Sequence, residues 1–484
     1  MILAEMFPNA DALYNVLWAL YAVVVVGTVG VIIGENRNPV KSLAWVTVLL
    51  LLPAVGLVLY FLFGRSIKKI HLISRKDLRR LNASTECPGL PAELPDDFSP
   101  LARRQVRLAR ELTEAPLYEG NHIDIFTNGK EKFDALKRDL QLATDYIHLQ
   151  YYIFENDTIG HEIRDILVNK AHEGVEVRVT YDHVGSFTIN AAFFQRMRRE
   201  GVDAHAFLRL TFTQLANRLN WRNHRKLVVV DGRVGYIGGM NIADRYVTGS
   251  RGGKAWRDTH LRITGPAVAG MCHTFAVDWN FMRRELLTLP IPAIAPQAVA
   301  PGSDRVQVLP SGPTGQWSNI MTVLLKAIAD AERSVWIQTP YFLPNDALLK
   351  TLQATALGGV DVRLLLPRNS DSRLLRLAAG SYLKECLLAG IKVYFYEPAM
   401  LHSKLIVIDD DFVTTGSTNF DFRSFEHNFE CNVLVYSREF NQRMRTVFQA
   451  DQRQSTRIIL SHWRRRPLMV KAAESLVRLL SPIL

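Results

Sequence analysis

The string NHRKLVVVD occupies residues 223–231, and LHSKLIVID occupies residues 401–409. Each carries His-x-Lys, four further residues and an Asp. One such string is weak information, because chance produces it often. Two copies with a shared tail are specific. Gly238, Gly239 and Asn241 follow the first, and Gly416, Ser417 and Asn419 follow the second, at the same distance from the histidine. The run after each lysine is short and β-branched, so it reads as a strand. On a strand His224 and Lys226 share a face, as do His402 and Lys404. Two such pairs are poor core material and point to a site. Asp231 has the opposite parity and precedes Gly232, so VVVDGRVGYIGG reads as a hairpin with Asp-Gly at its turn. The candidate catalytic set is His224, Lys226, Asp231, His402, Lys404 and Asp409. Within it Asp231 and Asp409 read as structural, fixing a turn or pairing with a neighbouring base.

The small residues of each tail let a substrate approach the backbone, and the Asn241 and Asn419 amides can donate to an oxyanion. Further on, Asp258 in WRDTHLRI and Glu430 in NFECNVLV each open a β-rich string. An acid there can hold one histidine ring nitrogen and fix its tautomer.

The motif copies sit inside a wider duplication. YIHLQYYIF (146–154) answers SVWIQTPYF (334–342), GVEVRVTYD (174–182) answers GVDVRLLLP (359–367), and EGVDAHAF (200–207) answers AGIKVYFY (389–396). Helical stretches alternate with these strings, which argues for α/β layering. The expected architecture is two α/β domains, 118–288 and 304–466, packed about a pseudo-two-fold axis. A Pro-rich connector at 289–303 separates them.

Before the duplication lie two apolar stretches, 13–33 and 43–63, each about one bilayer thick as a helix. A polar turn, GENRNPVKS, joins them, and residues 1–64 read as a transmembrane hairpin. Pro53 and Gly56 interrupt the second stretch, which leaves open whether it spans or re-enters. No basic residues precede the first stretch, unlike a signal peptide. Arg65, Lys68, Lys69, Arg75, Lys76, Arg79 and Arg80 follow the second, against Arg37 and Lys41 in the turn. That asymmetry places the downstream chain in the cytoplasm, with the N-terminus on the same side. Residues 65–117 read as a basic juxtamembrane segment and linker. Within it, Arg103, Arg104, Arg107 and Arg110 read as a solvated helix face.

The chain has 484 residues and a formal net charge of +11, with 48% apolar and 22% charged residues. This composition is globular and excludes wholesale disorder. The positive balance suits phosphate-rich partners, anionic membrane or nucleic acid. Cys87, Cys272, Cys386 and Cys431 form no CxxC pair and read as reduced thiols. No His/Cys cluster has zinc spacing, so no metal is expected.

At the motif residues the chain resembles the phospholipase D superfamily, whose signature is H-x-K-x4-D with a trailing G-[GS]-x-N. It resembles bacterial cardiolipin synthases more closely still. That likeness runs through NPVKSLAW and LLPAVGLVLYFLFG, through QYYIFEND and GSTNFDFRSFEHNFE, to the C-terminal WRRRPLMVKAAESLVRLLSPIL. Gly239 departs from the pattern of its counterpart Ser417, so the first copy lacks one hydroxyl. The resemblance implies a multi-pass enzyme of the bacterial inner membrane that joins two phosphatidylglycerols into cardiolipin and glycerol. It implies no nucleotide, metal or other cofactor. One histidine attacks phosphorus and the other serves as acid and base. Lys226, Lys404, Asn241, Asn419 and Ser417 surround the phosphate. The superfamily's habit of using its N-terminal motif favours His224 as the nucleophile. Oligomeric state stays open, a homo-oligomer included.

Three rivals remain at this level. A nuclease fits the charge but not the apolar N-terminus, and nucleic-acid-type interleaving of aromatic and basic residues is missing. A phospholipase D using water or another alcohol as acceptor is the nearer alternative. A non-enzymatic scaffold has no need for two intact His-x-Lys pairs. Finally, residues 467–484 have helical periodicity, with Pro467 suited to the first position. Met469, Ala473, Leu476 and Leu480 share one face, and Lys471, Glu474, Ser475 and Arg478 the other. After Arg464, Arg465 and Arg466, this amphipathic helix reads either as a packed final helix or as one lying in the membrane interface.

Overall fold

Strand strings and helices alternate in each half, and in the computed structural model they build one sheet. The structure describes residues 10–34, 39–52, 54–64, 74–84, 94, 96–187, 189, 191–208, 221–249, 253–283, 285–287 and 303–481. The first half contributes β1 (Tyr118–Phe126), β2 (Tyr146–Tyr151), β3 (Glu176–Asp182), β4 (Asp203–Phe207), β5 (Leu227–Val230), β6 (Val234–Gly238) and β7 (His260–Thr264). The second contributes β8 (Asp304–Ser311), β9 (Ser334–Gln338), β10 (Asp361–Pro367), β11 (Lys392–Tyr396), β12 (Leu405–Ile408), β13 (Phe412–Gly416) and β14 (Asn428–Val435). The strand order is β1-β7-β6-β5-β2-β3-β4 in one half and β8-β14-β13-β12-β9-β10-β11 in the other. The two orders are identical, and β1 pairs antiparallel with β8 to join them. This is the duplication read from the strings, closed into one sheet about its centre.

Parallel pairing of β2 with β3 and of β3 with β4 follows from the helices Thr158–His172 and Ala191–Arg199 that cross between them. The motif strands run the other way. β5 and β6 form a hairpin across residues 231–233, with Asp231 at φ 51° and Gly232 at φ 63°. β12 and β13 repeat it, with Asp409 at φ 45°. Each turn carboxylate is a clamp. Asp231 accepts from the backbone N–H groups of Thr144, Asp145 and Tyr146, all at 2.9 Å. Asp409 accepts from those of Glu332, Arg333 and Ser334 at 2.8–2.9 Å. The clamps pin each hairpin to the start of β2 or β9, which is a structural role for both acids.

Helices cover both sheet faces. The helices Val268–Arg283 and Arg438–Arg453 enclose an inner core that includes Phe275, Trp279, Val308, Val407 and Phe448. Outer cores lie beneath the crossover helices of each half. The linker reading of 65–117 needs correction here. The helix Pro100–Thr113, capped by Ser99, buries Leu101, Ala102, Val106 and Ala109 in the second half's outer core. Its arginines Arg104, Arg107 and Arg110 face solvent, as a periodic helix with one apolar side requires. Leu81, on the helix Arg75–Ser84, is buried in the inner core. The connector 289–303 and Cys87 lie outside the described residues, save Ser303; Cys272, Cys386 and Cys431 are buried free thiols.

The N-terminal residues form a separate unit. Ala10–Gly34 is one helix, and its stretch Tyr14–Gly34 is long and apolar enough to cross a membrane. The second apolar stretch is not one straight span. It is helical over Pro39–Leu51, turns at Ala54 with φ 60°, and continues as Val55–Leu59 and a π-turn at Tyr60–Gly64. Pro53, one of the two residues expected to interrupt this stretch, lies outside the described residues. The two stretches pack on each other through Val25, Ile32, Leu49 and Tyr60, and the Tyr21 hydroxyl donates to the Leu49 carbonyl at 3.0 Å.

Candidate active site

Strands β5 and β12 start immediately after the motif lysines, so each His-x-Lys occupies the approach to a strand rather than the strand itself. That approach is held by the opposite half. The His224 N–H donates to the carbonyl of Phe429 at 2.9 Å, and the His402 N–H donates to that of Arg257 at 2.7 Å. Phe429 and Arg257 immediately precede Glu430 and Asp258. This pairing carries each acid to the other half's histidine. His224 Nδ1 lies 3.0 and 3.1 Å from the two Glu430 oxygens, and His402 Nδ1 lies 2.6 Å from Asp258 Oδ2. The carboxylates favour the tautomer with the proton on Nδ1, which leaves the Nε2 lone pair for chemistry; Lys404 Nζ also approaches His402 Nδ1, at 2.9 Å.

All six groups of the cluster are buried: His224, Lys226, Asp258, His402, Lys404 and Glu430. Burial, joined by the neighbouring lysines and opposed by the carboxylates, holds both imidazoles down to about 4. Burial also drives the Lys226 ammonium well below its ordinary range and Lys404 down to about 8. Each lysine feels both Glu430 and Asp258, so the two motif copies share one electrostatic site. Burial alone would raise Glu430, but His224, Lys226 and Ser417 outweigh it and hold the carboxyl below its usual range. Lys226 and Lys404 each donate to the carbonyl of their own motif histidine, which ties each lysine to its own motif.

The remaining expected site residues divide. Asn241 accepts from the Ile153 N–H at 3.2 Å and donates to the Tyr246 hydroxyl at 3.1 Å. Asn419 is buried, and its Oδ1 meets no donor among the described residues. Ser417 is corrected from phosphate contact to support of an acid. Its hydroxyl donates to Glu430 and accepts from the Cys431 N–H at 3.0 Å. Gly239 makes the equivalent backbone contact, N–H to the Thr259 carbonyl at 3.0 Å. A Cβ on Gly239 would stand 2.2 Å from Asp258 Oδ1. The missing hydroxyl is thus matched to the position of the Asp258 carboxylate.

A polar frame beneath the site lay outside the sequence reading. Asp278 accepts from Gln150 at 2.5 Å and from Arg225, the middle residue of the first motif. Asp451 accepts from Gln338 at 2.9 Å and from Arg257 at 2.7 and 3.0 Å. Gln150 and Gln338 stand at matched places in the duplicated strings, and that was the available signal. Aromatic walls complete the site. The Tyr152 ring lies 4.9 Å from that of His224, while Trp256 and Tyr246 lie 5.3 and 5.9 Å from His402.

Comparison with known proteins agrees with this geometry. The family described as "Cardiolipin synthase, PLD-like domain" matches twice, at residues 136–268 and 324–452. "Phospholipase_D-nuclease N-terminal" matches residues 16–65. The "Major cardiolipin synthase ClsA" of Bacillus subtilis (strain 168) is 36% identical over 98% of each chain. A "Cardiolipin synthase" of Geobacillus kaustophilus (strain HTA426) is 38% identical over 93% of this chain and 90% of its own. Among solved structures, a phosphatidylserine synthase of Haemophilus influenzae Rd KW20 superposes with a TM-score of 0.60 at 16% identity. It covers 79% of this chain and all of its own, a likeness of fold. Similar over nearly its whole length to cardiolipin synthases, and matched in both halves by their domain, the chain belongs to the cardiolipin synthase family of the phospholipase D superfamily.

Proposed function

We propose that this membrane-anchored enzyme transfers a phosphatidyl group from one phosphatidylglycerol to another, giving cardiolipin and glycerol. The observation that carries the reading is the exchange of acids between halves. Each histidine has its tautomer set by a carboxylate from the other motif copy, so neither half alone is a site. One histidine attacks phosphorus through Nε2, and the glycerol oxygen leaves with a proton from Nε2 of the other histidine, a proton that ring takes up when the anionic substrate binds. The second histidine then takes the proton from the incoming glycerol hydroxyl as it displaces the phosphatidyl-histidine. A phosphodiester is exchanged for a phosphodiester, so little driving force is needed. Lys226, Lys404, Asn241 and Asn419 face the phosphoryl oxygens, where charge grows in the transition state. We assign the covalent step to His224 on the superfamily resemblance. Asp258 and Glu430 act through the histidines as positioning residues. The site is complete within one chain and needs no second copy.

We further place both apolar N-terminal stretches across the bilayer, with the catalytic unit cytoplasmic, on the asymmetry of Lys and Arg. The test of function is to reconstitute the full chain with phosphatidylglycerol and separate the lipids. Cardiolipin with one glycerol released per turnover is expected, and His224→Ala and His402→Ala should each abolish it while remaining folded. Phosphatidic acid as the main product would replace synthesis by hydrolysis. Near-normal turnover by either variant would overturn the composite site, and a phosphatidyl adduct mapped to His402 would overturn the nucleophile assignment.

A further inference from the structure

The last helix, Leu468–Arg478, packs with its polar side inward. Pro467 stands at its N-cap, one residue before the position its sequence suggests. Glu474 is 6% exposed, and its carboxylate takes both Arg466 guanidinium nitrogens. Arg478 pairs with Glu385 on the helix Arg373–Leu388 at 2.6 Å. Val477, 8% exposed, is the one helix residue in the small cluster beneath it. The outward side is apolar. Leu468, Met469, Leu476 and Leu479 are 79%, 82%, 68% and 75% exposed. A helix whose charges are used against its own protein and whose large apolar side chains face out is inverted relative to an ordinary surface helix.

We propose that this outward face seats the catalytic unit on the surface of an anionic bilayer. Charge complementarity selects that occupant. Arg464 and Arg465 are exposed immediately before the helix, and Arg457 is exposed on the edge strand Ser455–Arg457. Ile459, 53% exposed, lies between them. Cations beside an apolar helix face are the pattern that binds anionic headgroups while leucines enter the acyl boundary by about 5–10 Å. Position supports the same occupant. Val477 packs with Leu343 and Ala378 against Tyr341, and the Tyr341 ring lies 6.4 Å from that of His402. The docked face is therefore one packing layer from the catalytic wall, where both lipid substrates must arrive. The proposal rests on lipid being the substrate only for this last point.

The experiment uses the full chain in vesicles of phosphatidylglycerol and phosphatidylcholine, with or without bromine on the acyl chains near the headgroup. Leu476→Trp introduces an indole on the exposed face, and Leu142→Trp places one at an exposed site of the first half. Brominated lipid should quench the indole at 476 at least twofold more than the indole at 142. Equal quenching at both positions would overturn the proposal. Leu476→Cys should not form disulfide-linked pairs of chains; efficient pairing would make the face a contact between copies instead. Leu476→Asp with Leu479→Asp, both away from any core, should raise the surface KM for phosphatidylglycerol severalfold and leave kcat near wild type. Cardiolipin formation by the wild type in the same vesicles keeps a failure of the helix distinct from a failure of the lipid-transfer reading.

Discussion

Gly239 and Ser417 occupy equivalent backbone positions, yet they are not interchangeable. Ser417 holds Glu430 with its hydroxyl, whereas the space beside Gly239 is filled by the Asp258 carboxylate. Gly239→Ser should push Asp258 off His402 and cut turnover at least tenfold. Ser417→Ala removes one donor to Glu430 and leaves those from His224 and Asn428, so it should cost less than tenfold, with KM unchanged. Steady-state rates on phosphatidylglycerol check both, and an active Gly239→Ser variant would show that Asp258 has room to move. Protonation gives a second prediction. Both histidines sit at about 4, and Lys226 is held low as well. A bound phosphodiester brings negative charge, which raises cationic pKa values. Binding near pH 7 should therefore take up about one proton, with the sign that makes affinity fall as pH rises. Calorimetry of a short-chain phosphatidylglycerol with His224→Ala, in two buffers of different ionisation heat, measures it. No buffer dependence would contradict the shifted values. The His/Lys pairs were legible because they repeat at fixed spacing. The cross-half pairing of Asp258 and Glu430 was not, because a spacing within one half says nothing about contacts across the two-fold.

Elements were legible where a local pattern dominates. The hairpin at 231–233 follows from β-branched runs around Asp-Gly, and its second copy forms without glycine, since aspartate tolerates the left-handed region. The helix Pro100–Thr113 and its basic side are legible from the spacing of its arginines, but its place in the fold is not. Its destination depends on a partner core more than two hundred residues away, which no local pattern encodes. The turn acids illustrate how an element's role becomes testable. Asp231 satisfies three backbone N–H groups at the start of β2, and losing a buried acceptor leaves each donor unpaired at about 1–3 kcal/mol. Asp231→Ala should destabilise the fold by about 3 kcal/mol or more. Asp231→Asn keeps one acceptor oxygen and the left-handed turn, so it should cost less. Thermal unfolding alongside turnover separates the roles: activity should track the folded fraction. An Asn variant of normal stability but no turnover would return Asp231 to the chemistry.

At the scale of the whole molecule, the duplicated sheet explains why the motif occurs twice: β1 and β8 join the halves, and the residues preceding each acid, Arg257 and Phe429, accept from the opposite half's motif histidine. Membrane arrangement is a different problem, because the bend at Ala54 makes two topologies physically available to the N-terminal unit. If the stretch from Pro39 to Gly64 crosses, the turn at 34–42 lies outside and the N-terminus shares the cytoplasm with the catalytic unit. If it re-enters, the first helix alone crosses, the turn is cytoplasmic and the N-terminus is outside. The proposed crossing rests on the basic residues, seven after the second stretch against two in the turn. Asn36→Cys should therefore react with an impermeant maleimide added to spheroplasts, and Asn9→Cys should react only after permeabilisation. Cys87→Ser provides the background, because the other native cysteines are buried. The reverse labelling, with position 9 reactive from outside and position 36 protected, would establish re-entry. In either case the apolar helix Tyr14–Gly34 keeps the enzyme on the membrane that holds its substrates.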